Sequence, residues 1–117
     1  MITKRYLIYS GYTNNELVGI INSDEKNKLT CEVLISKDRY DFPIDLLGPH
    51  RDWERDDTAT IKRWLESRVV PPTRQFLRQM LDEYKIPEWD LDTLIKLNSG
   101  KSVNDKFSVI LEEIQNE

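Results

Sequence analysis

Apolar residues are patterned at a period of two early in the chain and at helical spacing later. The first 47 residues read as strands. "KRYLIYS" is rich in β-branched and aromatic residues, "GYTNN" is a loop of turn formers, and "ELVGIINS" is a second apolar run. "DEKNK" is a polar turn before "LTCEVLIS", where Leu29, Cys31, Val33 and Ile35 alternate with Thr30, Glu32, Leu34 and Ser36. Gly19 inside the second run suggests a bulge or a close backbone approach. "KDRYDFPIDLL" could add a short fourth strand, which Pro43 would end or confine to an edge. The sum is a small antiparallel meander over residues 3–47. "GPHRDWERDD" then reads as the link to a helical half.

Asp57 or Thr58 can cap a first helix over about Ala59 to Val69, with Ile61, Trp64 and Leu65 as its buried stripe. Pro71 stops it and pushes Val70 toward extended geometry. Thr73 is a natural cap for a second helix from Arg74 to Tyr84, in which Phe76, Leu77, Met80, Leu81 and Tyr84 line one face and the first four are assigned to the core. Pro87 ends that segment. "WDLDTLIKLNSG" reads as a third helix, with Asp90 as cap, Leu91, Leu94 and Ile95 inward, and Gly100 at its C-terminal turn. Residues 102–115 fit a fourth helix capped by Ser102 or Asn104, with Phe107, Ile110, Leu111 and Ile114 inward. A strand "KFSVIL" paired with the meander is the alternative. The length and Glu112–Glu113 favour the helix. The expected fold is α+β: a single domain over residues 1–117, strand-rich over 1–48 and helical over 58–117, with three or four short helices within 58–115.

Charge and composition narrow the classes. The chain has 117 residues, is 38% hydrophobic and 32% charged, and contains no apolar run long enough to span a membrane. "MITKRYLIYSGY" lacks the apolar core of a secretory signal, so the cytosol is expected. The net charge of −4 opposes general affinity for nucleic acid. The charge is uneven, however: residues 51–78 carry 7 basic and 5 acidic groups, whereas residues 79–117 carry 4 basic and 9 acidic.

Little in the chain points to catalysis. One His and one Cys cannot form a structural zinc site, and no cofactor is expected. Neighbouring pairs such as Asp56–Asp57 and Glu112–Glu113 diverge on a helix. No phosphate loop or GxGxxG motif is present. His50 and Cys31 would need to meet in space to act as a nucleophile pair. A helix-turn-helix over residues 58–84, with Arg74 and Arg78 early in its second helix, is the best nucleic-acid candidate. The proline-stiffened "VVPPT" connection and the overall charge count against it.

Protein docking explains more. Trp, Tyr and Arg dominate interface hot spots, and Trp53, Trp64 and Trp89 all fall between residues 53 and 89. Trp64 fits the core, and Trp53, in a charged loop, is the better exposed anchor. The candidate contact residues are Trp53, Arg68, Arg74 and Arg78 together with the acidic Asp82, Glu83, Glu88 and Asp90, which could meet a basic partner. Arg68 and Arg74 flank the proline corner, either as buttresses pairing with the acidic tail or as an exposed site.

The stretch "IKRWLESRVVPPTRQFLRQMLDEYKI…LDTLIKLNSGKSVNDKFSV" resembles a segment of HipA-like proteins of Firmicutes and their mobile elements. Trp64, Arg68-Val69-Val70-Pro71, Thr73-Arg74, Gly100-Lys101-Ser102 and Asp105-Lys106-Phe107 carry the likeness, over about residues 60–109. In that family the segment precedes a kinase-like domain of toxin–antitoxin systems. The resemblance implies a stand-alone N-terminal-type module that binds protein, for instance by restraining a kinase-like toxin. Small acidic proteins of phages and mobile elements also inhibit host defence nucleases, which is a second protein-binding route.

Overall fold

The computed structural model describes residues 1–35, 42–43, 46, 54–55 and 57–114. Its framework is a five-stranded antiparallel sheet. The strands are β1 (Ile2–Ser10), β2 (Glu16–Asp24), β3 (Leu29–Val33), the two-residue β4 (Glu54–Arg55) and β5 (Phe107–Glu113), in the order β4-β3-β2-β1-β5. Three helices, α1 (Thr58–Glu66), α2 (Leu77–Glu83) and α3 (Leu91–Asn98), lie between β4 and β5 in sequence. The α+β class stands, with a mostly N-terminal sheet and the helices after it.

Strand register sets the two faces. Tyr6 pairs with Ile21 and Ile21 with Cys31; Ile8 pairs with Gly19 and with Val109. Tyr6, Ile8, Ile21, Cys31 and Val109 are all buried in one hydrophobic cluster with Ile61, Trp64, Leu65, Leu94 and Ile95 of the helices. Burying each such aliphatic side chain is worth roughly 1.5–3 kcal/mol, so this shared core binds the strand-rich half to the helical half. Beside Gly19 the β1–β2 register shifts, with Tyr9 opposite Leu17, so Val18 is the extra residue of a bulge. A Cβ on Gly19 would also stand 2.6 Å from the Phe42 ring. Both readings of this glycine hold.

Caps explain two of the helices. Asp57 accepts the Thr60 N–H at 3.3 Å and the Thr60 hydroxyl at 2.6 Å, which starts α1. Asp90 does the same for Thr93 at 3.0 and 2.6 Å, which starts α3. Ser99 then takes the left-handed position that ends α3, and the Gly100 N–H returns to the Ile95 carbonyl at 3.1 Å. Gly100 is itself left-handed, and a Cβ there would meet Val109 Cβ at 2.5 Å.

Three expectations change. Residues 107–113 form a strand rather than a fourth helix. Phe107 and Val109 are buried and alternate with less buried neighbours, and the strand covers the otherwise open edge of β1 from Lys4 to Ser10. The second helix starts at Leu77, not Arg74. Turns closed by Arg74 N–H to Pro71 O (3.1 Å) and Leu77 N–H to Arg74 O (3.2 Å) take up the intervening chain, and Phe76 adopts a left-handed conformation that no helix contains. The first helix ends at Glu66, because the chain tightens into Arg68 N–H to Leu65 O and Val69 N–H to Glu66 O contacts before Pro71. The expected strand in 37–47 lies mostly outside the described residues. Of it, Phe42 and Leu46 are buried, and Leu46 N–H closes a turn on the Pro43 carbonyl at 3.1 Å.

Candidate functional site

The arginines of the proline corner separate by burial. Arg68, just past α1, is only 4% exposed. Its Nη1 and Nη2 grip both oxygens of Asp105 at 2.6 and 2.7 Å, Nε donates to the Gly100 carbonyl at 2.8 Å, and Nη2 also donates to the Phe107 carbonyl at 2.8 Å. The guanidinium lies 5.0 Å from the Trp64 ring. Burial pushes the Asp105 carboxyl upward, but Arg68 and the Phe107 N–H outweigh it and hold it below the ordinary carboxylate range. As a contact residue Arg68 is therefore displaced: its donors are engaged inside the fold, and it is the buttress to the acidic tail.

This buttress also protects a sheet edge. The Ile114 N–H points inward to Thr3 O, whereas the Val109 N–H points outward to Ser99 O at 2.8 Å. By alternation, the groups of Phe107 and Val109 on the free side of β5 face away from β1. Arg68 takes the first of them and Ser99 the second, which blunts the start of that edge against pairing with another chain.

Arg74, by contrast, is exposed, with Nη1 resting 3.3 Å from Met80 Sδ. It lies within a wholly exposed run, residues 71–76. The run ends on Phe76, which is 66% exposed at φ 61°. No side chain caps the helix that Phe76 leads into. Tyr84, 55% exposed, stands at the far end of α2. The corner is held firmly from below. Trp89 Nε1 donates to the Val70 carbonyl at 2.7 Å, Leu81 is buried, and the Ile86 N–H caps the Leu81 carbonyl at 2.8 Å.

The remaining candidates divide likewise. Arg78 pairs with Asp82 at 2.9 Å and folds its guanidinium onto the carbonyls of Ile86 (2.8 Å) and Pro87 (2.7 Å), closing the turn after α2. Glu83 and Glu88 are exposed. Asp90 is the cap of α3, and hydrogen bonds from the Thr93 side chain and backbone hold its carboxyl below the usual range. Trp53 and His50 lie outside the described residues. Cys31 faces the core, and burial pushes its thiol up to about 12, the opposite direction from an activated nucleophile. Among the described residues no group of three His, Cys, Asp or Glu is placed to hold a metal, and no helix is long and apolar enough to cross a membrane.

One polar node had no signal in the sequence. Asp92, in the first turn of α3, takes Lys4 Nζ at 2.6 Å on one oxygen and Tyr6 Oη at 2.6 Å on the other. Burial and this carboxylate raise the Tyr6 phenol well above its ordinary value. The node ties α3 to β1 across most of the chain, which local spacing does not encode. Comparison with protein-family models, curated proteins and solved structures finds no match to the chain.

Proposed function

We propose that this protein is a regulatory binding module that docks on a partner protein through the corner between α1 and α2 and covers a working surface of that partner. The observation that carries the reading is Phe76. An L-residue in left-handed backbone loses roughly 1–2 kcal/mol relative to right-handed geometry, and here that strain holds a large aromatic ring out in solvent. Strain retained at an exposed side chain is a mark of a contact site. Arg74 beside it and Tyr84 beyond it supply residue types common at interface hot spots.

The corner lies within the stretch that resembles HipA-like proteins, which makes a kinase-like toxin the first partner to test. A defence nuclease is the second. Binding to DNA by a helix-turn-helix is less favoured. The connection from Ser67 to Phe76 is much longer than the usual turn of about 3–4 residues, and Arg78 is folded back on backbone carbonyls. The test is capture of the partner from the native host and titration of the purified pair. Arg74→Glu and Phe76→Ala should each weaken binding at least about tenfold, or 1.4 kcal/mol, with the fold intact. Unchanged affinity in both variants, or a gel shift at low salt with no protein partner, would sink the reading.

A further inference from the structure

Between α1, the start of α3 and the strands β1, β2 and β3, a cleft of about 280 Å³ opens. Its floor is a cross-strand row: Lys4 of β1 stands beside Ser23 of β2, and Ser23 beside Leu29 of β3. Thr58, Lys62 and Leu65 of α1 form one wall. Asp90 and the start of α3 at Leu91 and Asp92 form the other.

Two independent observations mark this cleft out. Ser23 is fully buried, yet its hydroxyl has no hydrogen-bond partner. A buried polar group of that kind is exceptional in a folded protein, and the residue that carries it is part of the cleft lining. The wall charges are also arranged in a particular way. Lys4 and Asp92 neutralise each other, and Tyr6 takes the second Asp92 oxygen. What remains is Lys62 on the α1 side and Asp90 on the α3 side. Thr58 Oγ1 accepts the Leu29 N–H at 3.0 Å, which leaves its own proton to donate. Both Thr93 bonds fall on Asp90 Oδ2, which leaves Oδ1 to accept. Uncommitted donors therefore gather on one wall and an uncommitted anionic acceptor on the other, with Leu29 in the floor and Leu65 and Leu91 in the two walls.

We infer that the cleft binds a small zwitterion of the α-amino-acid type, its carboxylate toward Lys62, Thr58 and Ser23 and its ammonium toward Asp90. A lining whose charges cancel suits a ligand of zero net charge better than a simple anion. The volume sits at the lower edge of the roughly 300–1,000 Å³ typical of ligand sites, which suits one amino acid rather than a peptide. The leucines accept an aliphatic side chain.

The experiment is an amide-resolved NMR titration of the full chain with L-leucine, N-acetyl-L-leucine and L-leucinamide. L-leucine should shift Ser23, Leu29, Thr58 and Lys62, and both blocked forms should bind at least about tenfold more weakly. Lys62→Met and Asp90→Asn should each lose a similar factor; asparagine keeps the helix cap, so the fold survives. Ser23→Ala should lose affinity while the free protein melts no lower. No shift at millimolar L-leucine, equal binding of N-acetyl-L-leucine, or unchanged affinity in both Lys62→Met and Asp90→Asn would overturn the assignment.

Discussion

Replacing Arg68 with alanine should be among the most damaging single changes in the helical half. The loss follows from the bonds that vanish. The Gly100 and Phe107 carbonyls lose buried donors, at about 1 kcal/mol each. Asp105 loses a two-pronged partner, but its side chain remains 24% exposed and rehydrates in part, so only about 1 kcal/mol is assigned there. The contact with Trp64 adds roughly 0.5–1 kcal/mol. The expected cost is about 3.5–4 kcal/mol, or a fall in melting temperature of ~14–16 °C at roughly 4 °C per kcal/mol for a domain of this size. Urea unfolding followed by tryptophan fluorescence measures it, because Trp64 is buried beside the site. The pH dependence has a defined sign. Asp105 has a lower pKa folded than unfolded, so its share of stability is present above about pH 4 and is lost as pH falls through the folded value. The gap between wild type and Arg68→Ala should therefore narrow in acid. A cost at neutral pH below about 1 kcal/mol, close to the ~0.5 kcal/mol expected for exposed Arg74→Ala, would overturn this assignment of Arg68 as a buried buttress.

Other substitutions probe other links. Gly100→Ala should cost about 2–4 kcal/mol, since it adds left-handed strain and a clash with Val109; thermal melting checks it. Phe76→Gly should be neutral or stabilising by up to ~1 kcal/mol while it weakens partner binding, the signature of a residue kept for contact rather than folding. Ser23→Ala should stabilise the free protein or leave it unchanged, because it removes an unpaired buried hydroxyl worth roughly 1 kcal/mol or more; chemical denaturation reads it. Asp92→Asn should weaken the tie between α3 and β1, and the Tyr6 phenol should then ionise at lower pH in a spectroscopic titration.

The local elements were largely legible in the sequence, and the long-range ones were not. Asp57, Asp90 and the Ile61–Trp64–Leu65 stripe announced two helices because caps and 3.6-residue spacing act within one segment. Gly19 signalled its bulge in the same way. Residues 107–113 satisfied both periods at once: Phe107, Ile110 and Leu111 fit a helix, while Phe107, Val109 and Leu111 fit a strand. The open edge of β1 decided between them, and a partner about a hundred residues away leaves no local trace. Phe76 looked like a core position because its spacing matched Leu77 and Met80. The turns after Pro71 rotated it into solvent. Arg68 was legible only as a choice between buttress and contact, since its partners Gly100, Asp105 and Phe107 lie far along the chain.

The most direct test of the docking claim is site-specific photocrosslinking in the native host. A photoreactive phenylalanine would replace Phe76 in one variant and Val103, which is fully solvent-exposed on another loop, in a second. One discrete protein adduct is expected at position 76, competing away with unlabelled wild-type chain and disappearing when Arg74→Glu is added, and none at position 103. Absence of an adduct at 76, or the same adducts at both positions, would contradict docking through the Phe76 corner.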